Sequence, residues 1–182
     1  DTFNLHVSRV KELLRRIAIE VPGIRFQAGV RIDSLDRETL ELMKAAGCVR
    51  VTYGIESGDQ EILDSVVKKR ISLAKVDVVE SWLKDLALPR RCFFIIGLPD
   101  ETRRQVRRTL AMVKHLGGDT TVSILRIYPG TEVEEMALRK GILAPDFTWS
   151  RIDYRQTYLR SIIGATPIYL DGLSWFEISY YL

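Results

Sequence analysis

Tyr53-Gly54-Ile55-Glu56-Ser57-Gly58 is the stretch whose reading decides the fold. It closes an apolar, strand-like run, Cys48-Val49-Arg50-Val51-Thr52-Tyr53, and hands over to a helix-like run that opens at Asp59. A carboxylate and a hydroxyl framed by two glycines, where a strand gives way to a helix, is how α/β enzymes present polar groups to a ligand. Glycine lets the backbone approach the ligand, and the helix start adds free N–H donors.

The same strand–turn–helix unit recurs on both sides of this stretch. Upstream, Val10, Leu13, Leu14, Ile17 and Val21 have the spacing of an amphipathic helix, which Pro22-Gly23 ends. Residues 24–32 read as a strand, and Ser34 or Asp36 caps a second helix that Gly47 closes. Downstream, a short helix over 60–67 leads through Lys68-Lys69-Arg70 to a longer helix opened by Ser72 and stopped at Leu88-Pro89. Residues 91–98 form a nearly continuous apolar run of the kind buried on both faces of a parallel sheet. Thr102 and Gln105 make a capping box for the next helix. Residues 120–128 read as a fourth strand, and Pro129-Gly130-Thr131 turns into a last helix over 132–140. Strands alternating with helices predict a parallel sheet with helical crossovers. The fold class is α/β, and four strands are too few to close an eight-stranded barrel.

Composition sets the outer bounds. The chain has 182 residues, 46% hydrophobic and 28% charged, ordinary for a globular domain with a real core. It contains no apolar run of about 18 residues, the length a membrane-spanning helix needs. The start, Asp1-Thr2-Phe3-Asn4, has neither Met nor the basic and apolar regions of a signal peptide, so the expectation is a piece of a longer cytoplasmic protein. A net charge of +3 does not by itself imply a nucleic-acid partner. Arg103, Arg104, Arg107 and Arg108 read first as a solvated helix face, with a phosphate-binding stripe as the lesser reading. Cys48 and Cys92 are the only cysteines, too far apart for a CxxC-type metal site, and open their strands as small buried hydrophobes. After Trp149 the periodicity stops, and Tyr154, Tyr158, Tyr169, Trp175, Phe176, Tyr180 and Tyr181 crowd into an extension over residues 150–182.

Ligands in parallel α/β folds bind at the C-terminal ends of the strands. Those ends carry Arg31 and Asp33, then Glu56 and Ser57, then Gly97, Leu98, Pro99, Asp100 and Glu101, then Arg126, Tyr128, Pro129, Gly130 and Thr131. Each has a plainer reading beside the functional one. Glu56 could cap the following helix, Lys68 and Lys69 could be a solvated link, and Arg31 could pair with Asp33 or Glu56. His6 and His115 read as surface or helix-end residues.

Taken in order, Arg31-Ile32-Asp33, Ala45-Ala46-Gly47-Cys48, Tyr53-Gly54-Ile55-Glu56-Ser57-Gly58, Phe93-Phe94-Ile95-Ile96-Gly97-Leu98-Pro99-Asp100-Glu101-Thr102 and Tyr128-Pro129-Gly130-Thr131-Glu132 closely resemble the radical S-adenosylmethionine (radical SAM) superfamily. The nearest branch carries an N-terminal cobalamin-binding domain, and Asp1-Thr2-Phe3 is similar to the end of that family's second barrel strand. The resemblance covers residues 1–149 and implies a partial TIM-like (β/α) barrel, truncated on its N-terminal side.

It further implies an enzyme that reductively cleaves S-adenosylmethionine at a four-iron four-sulfur cluster to a 5′-deoxyadenosyl radical. On the matching positions, Glu56 would accept from the ribose hydroxyls with Ser57 in support. Lys69, or Lys68 one register away, or Arg31 would meet the substrate carboxylate. The turns around Gly97 and Pro99 and around Tyr128 would flank the adenine. A small-molecule substrate and a flavodoxin- or ferredoxin-like electron donor are implied partners, and cobalamin a further cofactor of the branch. The CxxxCxxC motif that binds the family's cluster does not occur in these residues. Two alternatives stand beside this reading. One is a barrel-derived scaffold without catalysis. The other is an unrelated α/β enzyme holding a nucleotide or phosphate at the Gly54–Gly58 loop, which the lack of a glycine-rich phosphate fingerprint disfavours.

Overall fold

The computed structural model describes residues 2–151, 168, 169 and 171. Four strands, β1 (Phe26–Gly29), β2 (Cys48–Glu56), β3 (Arg90–Ile96) and β4 (Thr120–Ile124), form one sheet in the order β1-β2-β3-β4, every neighbour parallel. Between and around them run α1 (Val7–Glu20), α2 (Arg37–Ala45), α3 (Gln60–Ile62), α4 (Leu73–Asp85), α5 (Arg103–Leu116) and α6 (Glu132–Arg139). The four-stranded α/β arrangement with helical crossovers is the expected one.

Local chemistry accounts for the helix boundaries. Asp36, not Ser34, caps α2, its carboxylate accepting from Thr39 N–H. The Thr102–Gln105 capping box opens α5 with both reciprocal bonds in place. Ser72 stands at the start of α4 without capping it through its side chain. The Gln60 amide does that work instead, donating to Ile71 O (2.9 Å) and accepting from Leu73 N–H (3.0 Å).

Alternate strand residues point to opposite faces. Val51, Tyr53, Ile55, Cys92, Phe94 and Ile96 are buried on the helix-covered face. The opposite face carries Thr52, Gly54 and Phe93 and borders an open cleft. Residues 91–98 therefore are not buried on both faces: Phe93 is 36% exposed, because four strands leave the concave side of the sheet uncovered. The core unites α1, α2, α4 and the outer face of the sheet, with Leu14, Leu40, Met43, Val76 and Val79 fully buried. In α1 only Val10 and Leu14 are buried, while Leu13 and Val21 are exposed, since α2 covers a narrower stripe than the sequence spacing offers.

Three strands are shorter than the sequence suggests, β3 ending at Ile96 and not at Leu98. β1 stops at Gly29, though Val30 N–H still reaches Thr52 O (2.8 Å). β4 stops at Ile124, though Leu125 N–H still reaches Ile96 O (2.9 Å), and past that point Gly97 at φ 79 turns the chain after β3 away. On the free side of β1, Phe3 N–H donates to Gly29 O at 2.7 Å. Among the described residues no helix is long and apolar enough to cross a membrane. Tyr154, Tyr158, Trp175, Phe176, Tyr180 and Tyr181 lie outside the described residues.

Candidate functional site

At the C-terminal rim of β2 the pairing register shifts between Gly54 and Glu56, and Glu56 takes a φ of 76, rare for a residue with a side chain. The bulge folds the Glu56 carboxylate back across Gly54. A Cβ on Gly54 would lie 2.1 Å from Glu56 Oε1. Position 54 is therefore glycine because a carboxylate occupies the space a side chain would take. Glu56 is mostly buried and holds Lys69 Nζ at 2.5 Å.

Lys69 arrives there through a conformational device absent from sequence patterns. Beyond α3 the chain widens into a π-helical turn, Leu63–Val67, which Lys68 closes in the left-handed conformation at φ 54. That reversal sends Lys69 toward Glu56 and Lys68 away from it, to a 3.6 Å exposed pair with Glu132. Of the two lysines, the structure brings Lys69 to the rim carboxylate.

Lys69 and Gly54 border an open cleft of about 340 Å³ that also takes in Arg31, Asp33, Thr52 and Phe93. Arg31 lies in this cleft paired with Asp33 at 2.7 Å, which raises the guanidinium and lowers the carboxyl from their ordinary values. The strand end beneath Arg31 is fixed by Asn4, a fully buried side chain that sequence reading passed over. Its amide donates to Arg31 O (2.8 Å) and accepts from Arg31 N–H (2.7 Å), imitating a neighbouring strand.

Ser57 and Gly58 face the other way. Ser57 is fully buried, its hydroxyl 3.2 Å from Thr109 Oγ1 and accepting from Asp59 N–H, so it is placed toward α5 and not in the cleft. A Cβ on Gly58 would meet Thr109 Cα at 2.7 Å and Arg108 O at 2.8 Å. The second glycine thus serves close packing on α5. Asp59 caps α3 and is buried; burial pushes its carboxyl up, but Arg108 at 2.5 Å, the Ile62 N–H and Gln105 hold it below the ordinary value. Arg108 accordingly belongs to an ion pair and not to a free basic stripe.

The third rim element is the turn from Gly97 to Glu101. Glu101 is 3% exposed, and its Oε2 accepts from Gly97 N–H (2.7 Å) and Leu98 N–H (3.1 Å). Its Oε1 is buried with no hydrogen-bond partner. Burial pushes this carboxyl up to about 7, the two N–H donors opposing the rise and the charge of Asp59 adding to it. Leu98 and Pro99, with Leu125, Val133 and Met136, enclose a mostly apolar cavity of about 220 Å³ whose polar lining includes Lys68 and Glu132. Tyr128 is half exposed and lines an adjoining cleft with Ile95 and Thr131. Leu98 and Pro99 thus border one cavity, and Lys69 and Arg31 another, on the same rim, with Glu56 behind Lys69 as its ion-pair partner.

Cys48 and Cys92 are buried, their thiols pushed up by burial. Among the described residues no group of three or more His, Cys, Asp or Glu side chains could hold a metal ion.

Comparison with known proteins supplies a family and a fold for the chain. The chain is 34% identical over 144 residues to an uncharacterized methyltransferase of Pyrococcus horikoshii, covering 79% of this chain and 31% of that protein. It is 27% identical to the cytidylyl-2-hydroxyethylphosphonate methyltransferase of Streptomyces wedmorensis, covering 94% of this chain and 33% of the relative. The chain therefore spans about a third of the length of these relatives. Among solved structures, the radical S-adenosylmethionine methyltransferase TsrM from Kitasatospora setae, with cobalamin and a [4Fe-4S] cluster bound, superposes with a TM-score of 0.66 at 24% identity, over 75% of this chain and 30% of TsrM. Coproporphyrinogen III oxidase from Escherichia coli, described as a radical SAM enzyme, follows at 0.54 and 20%, over 68% and 29%. These two show a shared fold. The profile of the Radical SAM superfamily matches residues 2–113, and the chain belongs to that superfamily.

Proposed function

We propose that this chain is the part of a radical SAM enzyme barrel that holds the nucleoside of S-adenosylmethionine, in a longer protein that transfers methyl groups. The observation that carries the reading is the Glu56–Lys69 pair, set at the strand rim by a bulge and by a glycine whose missing side chain makes room for the carboxylate. A mostly buried carboxylate with free lone pairs is a strong acceptor for two vicinal hydroxyls. Glu56 would take the ribose diol, and Lys69, with Arg31 beside it, would meet a carboxylate. The Gly97–Pro99 turn and Tyr128 would border the adenine, for which the cavity at Leu98, Pro99 and Leu125 provides apolar walls. Ser57 would act from beneath, fixing the turn on α5.

S-adenosylmethionine bound there would supply an electrophilic methyl group or one-electron radical chemistry, and these residues bind, orient and exclude water. A four-iron four-sulfur cluster does not fit the residues present. The two cysteines are buried near the N-terminal ends of β2 and β3, away from the rim. Cluster ligands, and any cobalamin, would come from elsewhere in the protein, as would docking of a flavodoxin- or ferredoxin-like donor. Methyl transfer is favoured over other outcomes by the names of the relatives.

The test uses the full-length protein, reconstituted anaerobically with iron and sulfide. Titration with S-adenosylhomocysteine should give saturable binding, which Glu56→Ala weakens at least about tenfold, the loss of one hydrogen bond to a charged group. Unchanged affinity removes Glu56 from the site. Under reduction with S-adenosylmethionine, release of neither 5′-deoxyadenosine nor S-adenosylhomocysteine by fully loaded protein overturns the enzymatic reading in favour of a scaffold.

A further inference from the structure

Among the described residues, Ile168, Tyr169 and Asp171 reach the Gly97–Glu101 turn through Lys140 and through the Asp100 backbone, which hydrogen-bonds to the Asp171 carboxylate. Arg126 pairs with Ile168 in an antiparallel bridge, and Tyr169 N–H donates to Leu125 O at 3.0 Å. The Tyr169 ring is fully buried with Ile127, Ala137 and Leu143, and its hydroxyl donates to Asp171 at 3.2 Å. Lys140, just past the end of α6, then bridges two carboxylates, Asp171 and, at 2.8 Å, Asp100 of the turn. Asp100 sits at φ 60, a conformation that residues with a Cβ rarely adopt without outside support.

The turn is thus held from two sides. Inside, Glu101 accepts from the Gly97 and Leu98 N–H groups. Outside, Lys140 ties Asp100 to a stretch that is itself anchored by the buried Tyr169. Asp100 is 73% exposed, so its pair with Lys140 adds little stability alone. What the bridge contributes is geometry, a connection between the turn and a segment roughly 70 residues further along the chain.

We propose that Lys140 is a positioning residue that couples docking of Tyr169 and Asp171 to ligand binding under the Gly97–Glu101 turn. The inference rests on that turn bordering the nucleoside site. Coupling of this kind is reciprocal: a ligand that steadies the turn steadies the docked stretch, and loosening the stretch weakens the ligand by the same factor.

Amide hydrogen exchange on the full-length, cluster-loaded protein tests it, with S-adenosylhomocysteine as the probe. The ligand should slow exchange at Tyr169 about fivefold or more, at the lower end of typical couplings. Lys140→Met and Asp171→Asn should both abolish that slowing and raise the Kd by a similar factor, while Lys140→Arg restores both. Binding that is unchanged in both variants, or exchange at Tyr169 indifferent to ligand, overturns the coupling and leaves the site intact. A weaker Kd in Lys140→Met alone, tracking a lowered melting temperature and unmatched by Asp171→Asn, overturns it too. Failure of the unmodified protein to bind the probe overturns the site reading itself, and the coupling with it.

Discussion

Glu101 is an acid whose proton is kept by the fold. Its carboxyl, raised by burial to about 7 from an ordinary 4.5, contributes stability that is complete below the ordinary value and is lost as pH climbs through about 7. Glu101→Gln keeps a carbonyl for the Gly97 and Leu98 N–H groups and never ionises. Wild type should therefore lose on the order of 3 kcal/mol relative to this variant over that window, in urea unfolding across a pH series. A pH-independent difference between the two would refute the assignment. Gly54 gives a second residue-scale prediction. Gly54→Ala places a Cβ 2.1 Å from Glu56 Oε1, so the carboxylate must leave Lys69. Melting temperature should change little, while S-adenosylhomocysteine binding falls about tenfold or more, as for any lost charged hydrogen bond. The sequence pointed to Glu56 and to the glycine before it. It did not show that the glycine exists for the glutamate.

At the scale of elements, the loop after β2 is held by α5 as much as by its own turn. Thr109 of α5 accepts from Gly58 N–H and touches the Ser57 hydroxyl, and Gly58 lies against α5 backbone. Gly58→Ala should cost about 1–3 kcal/mol in chemical denaturation, the range for overpacking against atoms that cannot move aside. Thr109→Val should cost about 1–3 kcal/mol by stranding a buried N–H. Stability unchanged in both variants would show that the loop does not depend on this docking. Helix starts such as Asp36 and the Thr102–Gln105 box were legible because capping is written within four consecutive residues. The reversal at Lys68 was not, since no glycine marks it, and the choice between Lys68 and Lys69 could not be made from the sequence. Ser57 reads as a ligand hydroxyl in the strand-turn pattern, and only its contact with Thr109, 52 residues away, places it inside.

Over the whole molecule, the residues after β4 are met by Ile168, bridged to Arg126, and by Tyr169, fully buried and bonded to Leu125 O. Tyr169→Ala should lower stability by about 3–5 kcal/mol, the cost of emptying a large aromatic site in a core. A variant that unfolds at the wild-type denaturant midpoint would show that these residues are not part of the cooperative fold. The sequence by itself determined the order of strands and helices, the parallel sheet and the rim on which polar residues gather, because hydrophobic period and capping act between near neighbours. It also identified the Tyr53–Gly58 stretch as the turn to watch. Only the tertiary structure decided which of those polar groups face the cleft, that Glu101 is buried, and that Lys140 joins the far end of the described chain to the Gly97 turn. Those outcomes depend on burial and on contacts between residues dozens of positions apart, and neither is encoded in local spacing.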